Sequence, residues 1–369
     1  MIYITIIITL FYFIILLWLA SGVLKYPIAK NTGFLPGVSV IISAHNEQKN
    51  IENLLKTMVN QTYQGEFEVI IANDRSSDLT ANIIHDYSLK YDYIKLINIS
   101  ETGIGWGNKK WALNQCIKQS KYNIILQTDA DCTPGDNWIT SMVNEFSDPN
   151  LVFISATAPL VDKNNNLSEF YQLDSLAQDA LSASGMSHNL SFSCTGRNMG
   201  FAKQAFIEIN GYEGIEHYIS GDDDLLLQKF ATLSTGRIGF NFNKESVVIS
   251  PPPKSMSQFF NQRLRYGSKA FDYYKLNTTQ EFKILLPCLY SVNLIALITL
   301  ILFVETGNII YIIPILIKSI ADYILCNIFI KKISQTINIQ TFIILSIIHP
   351  IYITSLGALA PFINFKWKQ

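Results

Sequence analysis

Two patterns of apolar and polar positions divide this chain. Toward its ends the apolar positions run on without a break: residues 1–24, 284–304 and 333–365 contain no Asp, Glu, Lys or Arg. Each run is long enough to cross about 30 Å of hydrocarbon as a helix. A further run, 309–330, is interrupted only by Lys318 and Asp322, whose i, i+4 spacing lets them pair on one helix face inside a bundle. The first run lacks a basic start and a small-residue cleavage site and is too long for a signal peptide. It reads as an N-terminal transmembrane anchor over 1–24, with about three more transmembrane helices over 283–365.

Between the ends the pattern changes to short apolar runs alternating with amphipathic ones. Val38–Ile42, Phe67–Ala72, Ile94–Ile99 and Asn123–Gln127 read as strands, and Glu47–Asn60, Leu79–Lys90 and Lys110–Gln119 as helices. Strand and helix in alternation predict an α/β fold with a parallel sheet wound by helices. From Leu151 to Ser250 the alternation is less regular, and Pro251–Pro253 close the region, because three prolines exclude a regular helix or central strand. A soluble domain over 36–250 follows. Over 251–282, Phe259, Phe260, Arg263, Arg265, Tyr266, Lys269, Phe271, Tyr273 and Tyr274 mix aromatics with bases, a composition suited to an amphipathic helix at a membrane surface.

Composition sharpens this picture. Hydrophobic residues make up 49% of the chain against 15% charged, too apolar for an ordinary soluble protein, so membrane lipids are expected partners. The net charge of −1 gives no polycationic surface, which argues against nucleic acid. Five cysteines without a C-x-x-C pair fit neither a zinc site nor a disulfide framework. Lys25 and Lys30 follow the first apolar run, and Lys331–Lys332 lie between later ones, while Glu305–Asn308 lacks bases. The positive-inside tendency then places the soluble domain in the cytoplasm of a multi-pass cell-membrane protein.

The candidate chemistry lies where strands should end. Asp129 and Asp131 follow the Asn123–Gln127 strand, separated by small Ala130, and such a pair can hold Mg2+ or Mn2+ with positions left for water and phosphate oxygens. Asp74 ends the second strand, where a carboxylate can accept hydrogen bonds from a nucleobase or ribose, while Asp78 caps the next helix. His45, in the loop Ser43–Glu47, has no neighbour that would make it a catalyst and reads as a contacting residue. The glycine-rich Gly103–Gly107 lacks the G-x-G-x-x-G spacing and reads as a mobile turn, with Lys109 behind it placed to reach a diphosphate.

Asp222, Asp223 and Asp224 stand before a leucine-rich helix. Helix-dipole stabilisation alone accounts for such acids, but like-charge crowding also suits one of them to take a proton from a hydroxyl. Gln262, Arg265 and Tyr266 share one helix face at i, i+3 and i+4. Arg265 can neutralise a departing phosphate, and Tyr266 can offer its ring to a sugar.

With these segments in this order, the stretch from Gly37 to Lys269 resembles the inverting nucleotide-sugar glycosyltransferases of family 2, which include cellulose, chitin and hyaluronan synthases and ceramide glucosyltransferase. The resemblance implies a Rossmann-like glycosyltransferase A-type domain inserted between transmembrane helices. It makes Asp74 the nucleotide-base contact and Lys109, in Lys-Lys-Trp-Ala-Leu-Asn, the lysine of a K-x-x-A-L-N signature. It makes Asp129 and Asp131 the Asp-x-Asp pair, with Asp131 the direct ligand of a divalent cation. Gly-Asp-Asp selects Asp223 as catalytic base, whereas the spacing to Leu225 selects Asp222; Asp223 ranks slightly first. Gln262 and Arg265 match Q-x-x-R-W, with Tyr266 in place of its tryptophan, which weighs against long-chain processive synthesis more than against transfer. The implied function is transfer of a sugar, from a uridine diphosphate sugar in the first instance, to a lipid, lipid-linked or polysaccharide acceptor with inversion. The rivals are an inactive membrane-tethered binding or scaffold protein of the same fold and a metal-dependent nucleotidyltransferase.

Overall fold

The computed structural model describes residues 2–29, 32–162, 167–268 and 271–362. Lys30, Lys269 and the last three positions of the apolar run 333–365 lie outside the described residues. In chain order the elements are α1 (Ile2–Lys25), β1 (Val38–Ala44), α2 (Ile51–Val59), β2 (Phe67–Asp74), α3 (Thr80–Lys90), β3 (Ile94–Ile99), α4 (Asn108–Gln119), β4 (Ile124–Gln127), β5 (Thr133–Pro134), α5 (Trp138–Glu145) and β6 (Leu151–Ala156). They continue as α6 (Ser168–Met186), β7 (Met199–Ala202), α7 (Lys203–Glu208), α8 (Asp224–Leu233), β8 (Arg237–Asn241), β9 (Val248–Ile249), α9 (Met256–Ser268), α10 (Asp272–Lys275), α11 (Gln280–Thr306), α12 (Ile313–Lys332) and α13 (Ile339–Leu359).

The chain forms two units, and the first runs over 27–161 and 193–251. Its sheet has the order β3-β2-β1-β4-β7-β6-β8. Strands β3, β2, β1 and β4 are parallel, with Ile41 opposite both Ile70 and Gln127. β1, β2 and β4 are buried almost throughout, which is why they read as unbroken apolar runs. β3 is the edge strand, and its exposed Lys95 pairs at 2.6 Å with the buried Glu68 of β2.

The sheet departs from an all-parallel winding at β7, which runs antiparallel to both β4 and β6. That reversal sets Gln127, the last residue of β4, opposite Met199, the first of β7. The segment before β7 therefore lies beside the carboxylates that follow β4. α2 starts at Ile51 rather than Glu47 because Asn46 takes a left-handed φ of 53° and Thr80 Oγ1 holds the Glu47 N–H at 2.8 Å. The loop after β1 is tied in this way to the loop after β2.

The second unit comprises 1–26, 162–192 and 252–369. Helix α6, inside the 36–250 stretch that sequence pattern treats as one domain, groups here with the apolar helices. Four helices, Ile2–Lys25, Gln280–Thr306, Ile309–Lys332 and Ile339–Leu359, are long and apolar enough to cross a membrane. Lys318 and Asp322 do pair, at 2.6 Å, and Tyr12 of α1 donates to the same carboxylate at 2.5 Å, so the charges inside this bundle are neutralised and hydrogen-bonded.

Candidate active site

The site lies on the C-terminal edge of the parallel strands, where open α/β sheets bind ligands. Asp74 closes β2 and is 4% exposed. Its carboxylate takes Arg75 Nε at 2.8 Å and an Arg75 terminal nitrogen at 2.7 Å. Arg75 makes this contact from a left-handed φ of 56°. His45 Nδ1 lies 2.6 Å from the Asp74 carbonyl oxygen. Asp78 does not take the cap position of α3, which is Leu79; its Oδ1 accepts the Thr80 N–H at 3.0 Å in the turn that leads into the helix.

One strand beyond β1, Lys109 joins two carboxylates that are far apart in sequence. Its ammonium is 2.8 Å from Asp129 Oδ1 and 2.8 Å from Asp222 Oδ2. Lys109 stands in the first turn of α4, where the helix dipole opposes a cation. Burial pushes the Lys109 ammonium down, and the two carboxylates more than offset this, holding it charged well above the ordinary lysine range. Asp222 also accepts Gln127 Nε2 at 3.3 Å, so the end of β4 touches the same group.

Asp223 does something else. It is the N-cap of α8: Oδ1 accepts the Asp224 N–H at 2.7 Å, and Oδ2 accepts the Gly196 N–H at 3.0 Å. Asp224 Oδ1 accepts the Leu225 N–H at 2.8 Å. Of the acidic run, Asp222 is the member whose carboxylate meets Lys109.

Asp131 follows Ala130 in the turn after β4 and lies 3.8 Å from the Cys132 thiol. Burial pushes that thiol up to about 12, with Asp129 and Asp131 adding to the shift. The thiol therefore stays protonated near neutral pH, and the carboxylate oxygens are the hard donors at this turn. Among the described residues no group of three or more His, Cys, Asp or Glu could hold a metal by itself. The donor set fits a hard divalent cation only if substrate oxygens and water complete it. The ammonium beside Asp129 shows that this position accepts a cation.

Several residues that build the site carry no sequence motif. Lys110 is 1% exposed and donates at 2.7 Å to the carbonyls of both Tyr218 and Ser220, fixing the loop that leads to Asp222. Gly107 N–H donates to the Glu216 carbonyl at 2.7 Å, and a Cβ on Gly107 would lie 2.5 Å from the Tyr218 oxygen. The Gly103–Gly107 turn is thus docked on the acidic loop at its far end. Gly196 approaches so closely that a Cβ there would be 3.0 Å from Asp222 Oδ2. Gly221, with φ of 92°, makes the left-handed turn into the acidic run. These glycines were the available signal, each marking a close approach or a positive φ.

Gln262, Arg265 and Tyr266 belong to α9 in the other unit. Arg265 lies over the Tyr266 ring at 5.3 Å. Within the first unit a separate cavity of about 720 Å³ lies between α4 and α7, lined by Trp106, Lys118, Phe206, Tyr212 and Glu216. None of the candidate residues lines it.

Residues 39–209 match the sequence model of glycosyl transferase family 2. A probable glycosyltransferase, YdaM, of Bacillus subtilis is 43% identical over 106 residues, covering 28% of this chain and 25% of that protein. The poly-beta-1,6-N-acetyl-D-glucosamine synthase of Staphylococcus epidermidis is 30% identical over 139 residues, covering 37% of this chain and 32% of the synthase. The matches thus span about a quarter to a third of these relatives. A mannosyltransferase from Pyrobaculum calidifontis, solved with GDP-Man and Mn2+, superposes with a TM-score of 0.62 over 98% of this chain and 99% of its own, at 16% identity. The two chains share a fold. Residues 39–209, a little under half of the chain, are thus similar to glycosyl transferase family 2, and the α/β unit with its mixed sheet has a glycosyltransferase A-like fold.

Proposed function

We propose that the protein is an inverting glycosyltransferase that moves a sugar from a nucleotide diphosphate sugar, a uridine one in the first instance, to a hydroxyl of a lipid, lipid-linked or polysaccharide acceptor. The observation that carries this reading is the meeting of Asp129 and Asp222 on Lys109. It joins the nucleotide-side carboxylates at the end of β4 to a carboxylate that can serve the incoming hydroxyl. The family relatives support the acceptor classes: among them are the poly-beta-1,6-N-acetyl-D-glucosamine synthase and a beta-monoglucosyldiacylglycerol synthase of Trichormus variabilis, 34% identical over 115 residues.

In this reading Asp74, at the mouth of β2, accepts hydrogen bonds from the nucleotide base. Asp129 and Asp131 would hold a divalent cation such as Mg2+ or Mn2+ beside the diphosphate. When bound, such an ion supplies Lewis-acid stabilisation of the leaving diphosphate charge. Lys109 leaves its two carboxylates when the donor enters and turns its ammonium to the diphosphate. That frees Asp222.

Asp222 then takes the proton of the acceptor hydroxyl. The oxygen forms its bond to the anomeric carbon from the face opposite the departing oxygen, the bond from that carbon to the diphosphate breaks, and the nucleoside diphosphate leaves with its electron pair. We assign the base to Asp222 and not to Asp223, because both Asp223 oxygens accept backbone N–H groups, one from Asp224 at the start of α8 and one from Gly196 before β7. The roles of Gln262 and Arg265 on the leaving diphosphate, and of Tyr266 on the acceptor, rest on the Q-x-x-R-W resemblance. The basic residues flanking the apolar helices support a cytoplasmic site on the cell membrane.

Exchanging each aspartate separately tests the assignment. Asp222→Asn should lower kcat by about 10²- to 10⁴-fold, the usual worth of a positioned base, with donor KM little changed. Asp223→Asn keeps an oxygen acceptor for the cap and should cost roughly tenfold or less. The reverse ranking would move the base to Asp223.

A further inference from the structure

Helix α9 is held from one side by a buried carboxylate that no motif marks. Asp174 of α6 is 3% exposed. Its Oδ2 receives the Arg263 guanidinium and also Gln178 Nε2 at 3.1 Å, and its Oδ1 receives the hydroxyl of Tyr352 from α13. Gln178 Oε1 accepts a second Arg263 nitrogen at 2.9 Å. Around this core Arg263 lies 5.0 Å from the Phe259 ring, and Phe259 meets Tyr352 edge-on at 5.6 Å. One carboxylate thus joins three helices, all in the unit of 1–26, 162–192 and 252–369.

The helical period decides what this does to α9. At about 100° per residue, Phe259 and Arg263 fall on one face, which is the face pinned to Asp174 and Tyr352. Arg265 falls about 200° round from Arg263 and Gln262 about 100° round on the same side, while Tyr266 lies beside Phe259 with its ring 5.5 Å from the Arg263 guanidinium. A planar guanidinium bonded to a carboxylate fixes both rotation and translation of its helix, which apolar packing alone leaves looser. Such a buried pair adds little net stability relative to apolar residues, so its effect belongs to geometry.

We propose that Asp174 is a positioning residue: through Arg263 it sets the rotation of α9 and so the place from which Arg265 acts. This rests on the role proposed for Arg265 on the leaving diphosphate. A shift of about 1 Å at such a group is enough to cost on the order of 10²-fold in rate.

The test uses the full chain in detergent or lipid vesicles, with kcat, donor KM and thermal midpoint read for each variant. Asp174→Asn with Arg263→Gln removes the pair without leaving a lone buried charge. The double variant should unfold near the wild-type temperature and keep its donor KM, yet lose about ten- to a hundredfold in kcat. Adding Arg265→Ala to it should cost little more, whereas Arg265→Ala in the wild-type chain should cost the full factor. A double variant with wild-type kcat would overturn the proposal, as would an Arg265→Ala penalty of equal size in both backgrounds. Arg265→Ala alone with intact kcat would remove the role given to Arg265, and the positioning claim with it. Should the double variant not fold, Tyr352→Phe removes a single hydroxyl from the same carboxylate. It should lower kcat severalfold at unchanged donor KM, and wild-type kcat there would overturn the proposal.

Discussion

Lys109 does the work of a cation in the described site, with an oxygen of Asp129 and one of Asp222 each 2.8 Å away. An internal ammonium in that position competes with any divalent ion for Asp129. Lys109→Met should therefore tighten binding of Mn2+ to the donor-free protein, by about three- to tenfold, since neutralising a neighbouring cation strengthens a carboxylate's hold on another. Electron paramagnetic resonance of free Mn2+ in titrations reads this without turnover. An unchanged affinity would mean that Lys109 serves the diphosphate alone. Residue-scale reasoning also exposes what sequence leaves open. Spacing admitted both Asp222 and Asp223, with Asp223 slightly first, because a run of like residues has no register until its helix begins. The backbone N–H groups of Asp224 and Gly196 separate them, and neither hydrogen bond has a signature in residue type.

At the scale of elements, helix α5 carries a cost. Glu145, at its end and 7% exposed, is raised to about 7, first by burial, with Asp148 adding to the shift and Arg237 opposing it. A carboxyl whose folded pKa lies above its unfolded value favours the folded state at low pH, and that advantage is lost as pH rises from about 4.5 to about 7. Glu145→Gln should accordingly stabilise the protein by about 3 kcal/mol at pH 8, at roughly 1.4 kcal/mol per pKa unit, and by little at pH 4. Thermal or denaturant midpoints at the two pH values check this, and equal shifts at both would contradict it. The elements themselves were largely legible. β3 and α3 stand within a residue of where apolar periodicity puts them, since both are regular and flank the sheet edge. α2 begins late because loop hydrogen bonds override its period. The antiparallel direction of β7 left no trace, because a short buried strand has the same composition whichever way it runs.

Across the whole molecule, the alternation of strands and helices sufficed for the fold class, and three unbroken apolar runs with one broken only by Lys318 and Asp322 sufficed for four helices able to cross a membrane. It did not suffice for the division of the chain. α6 carries enough polar residues, Asp174 and Gln178 among them, to read as part of a soluble domain, yet those same groups meet Arg263 and Tyr352 beside the apolar helices. A polar helix whose partners lie 80 to 180 residues away is invisible to local pattern. Candidate carboxylates could be picked out wherever a motif coincided with a strand end, as at Asp74, Asp129 and Asp131. The site was hidden where a backbone contact did the work, as at Gly107, Lys110 and Gly196.

The central claim is transfer of a sugar from a nucleotide diphosphate donor, and the identity of the released product tests it most directly. The purified full chain, given a panel of nucleotide sugars with Mn2+ or Mg2+ and a membrane lipid extract, should release a nucleoside diphosphate from one of them. Release should stop on chelation of the metal and in Asp222→Asn. Release of pyrophosphate in its place would make the protein a nucleotidyltransferase. Donor binding without release from any member of the panel would contradict catalysis and leave a binding protein built on the same fold.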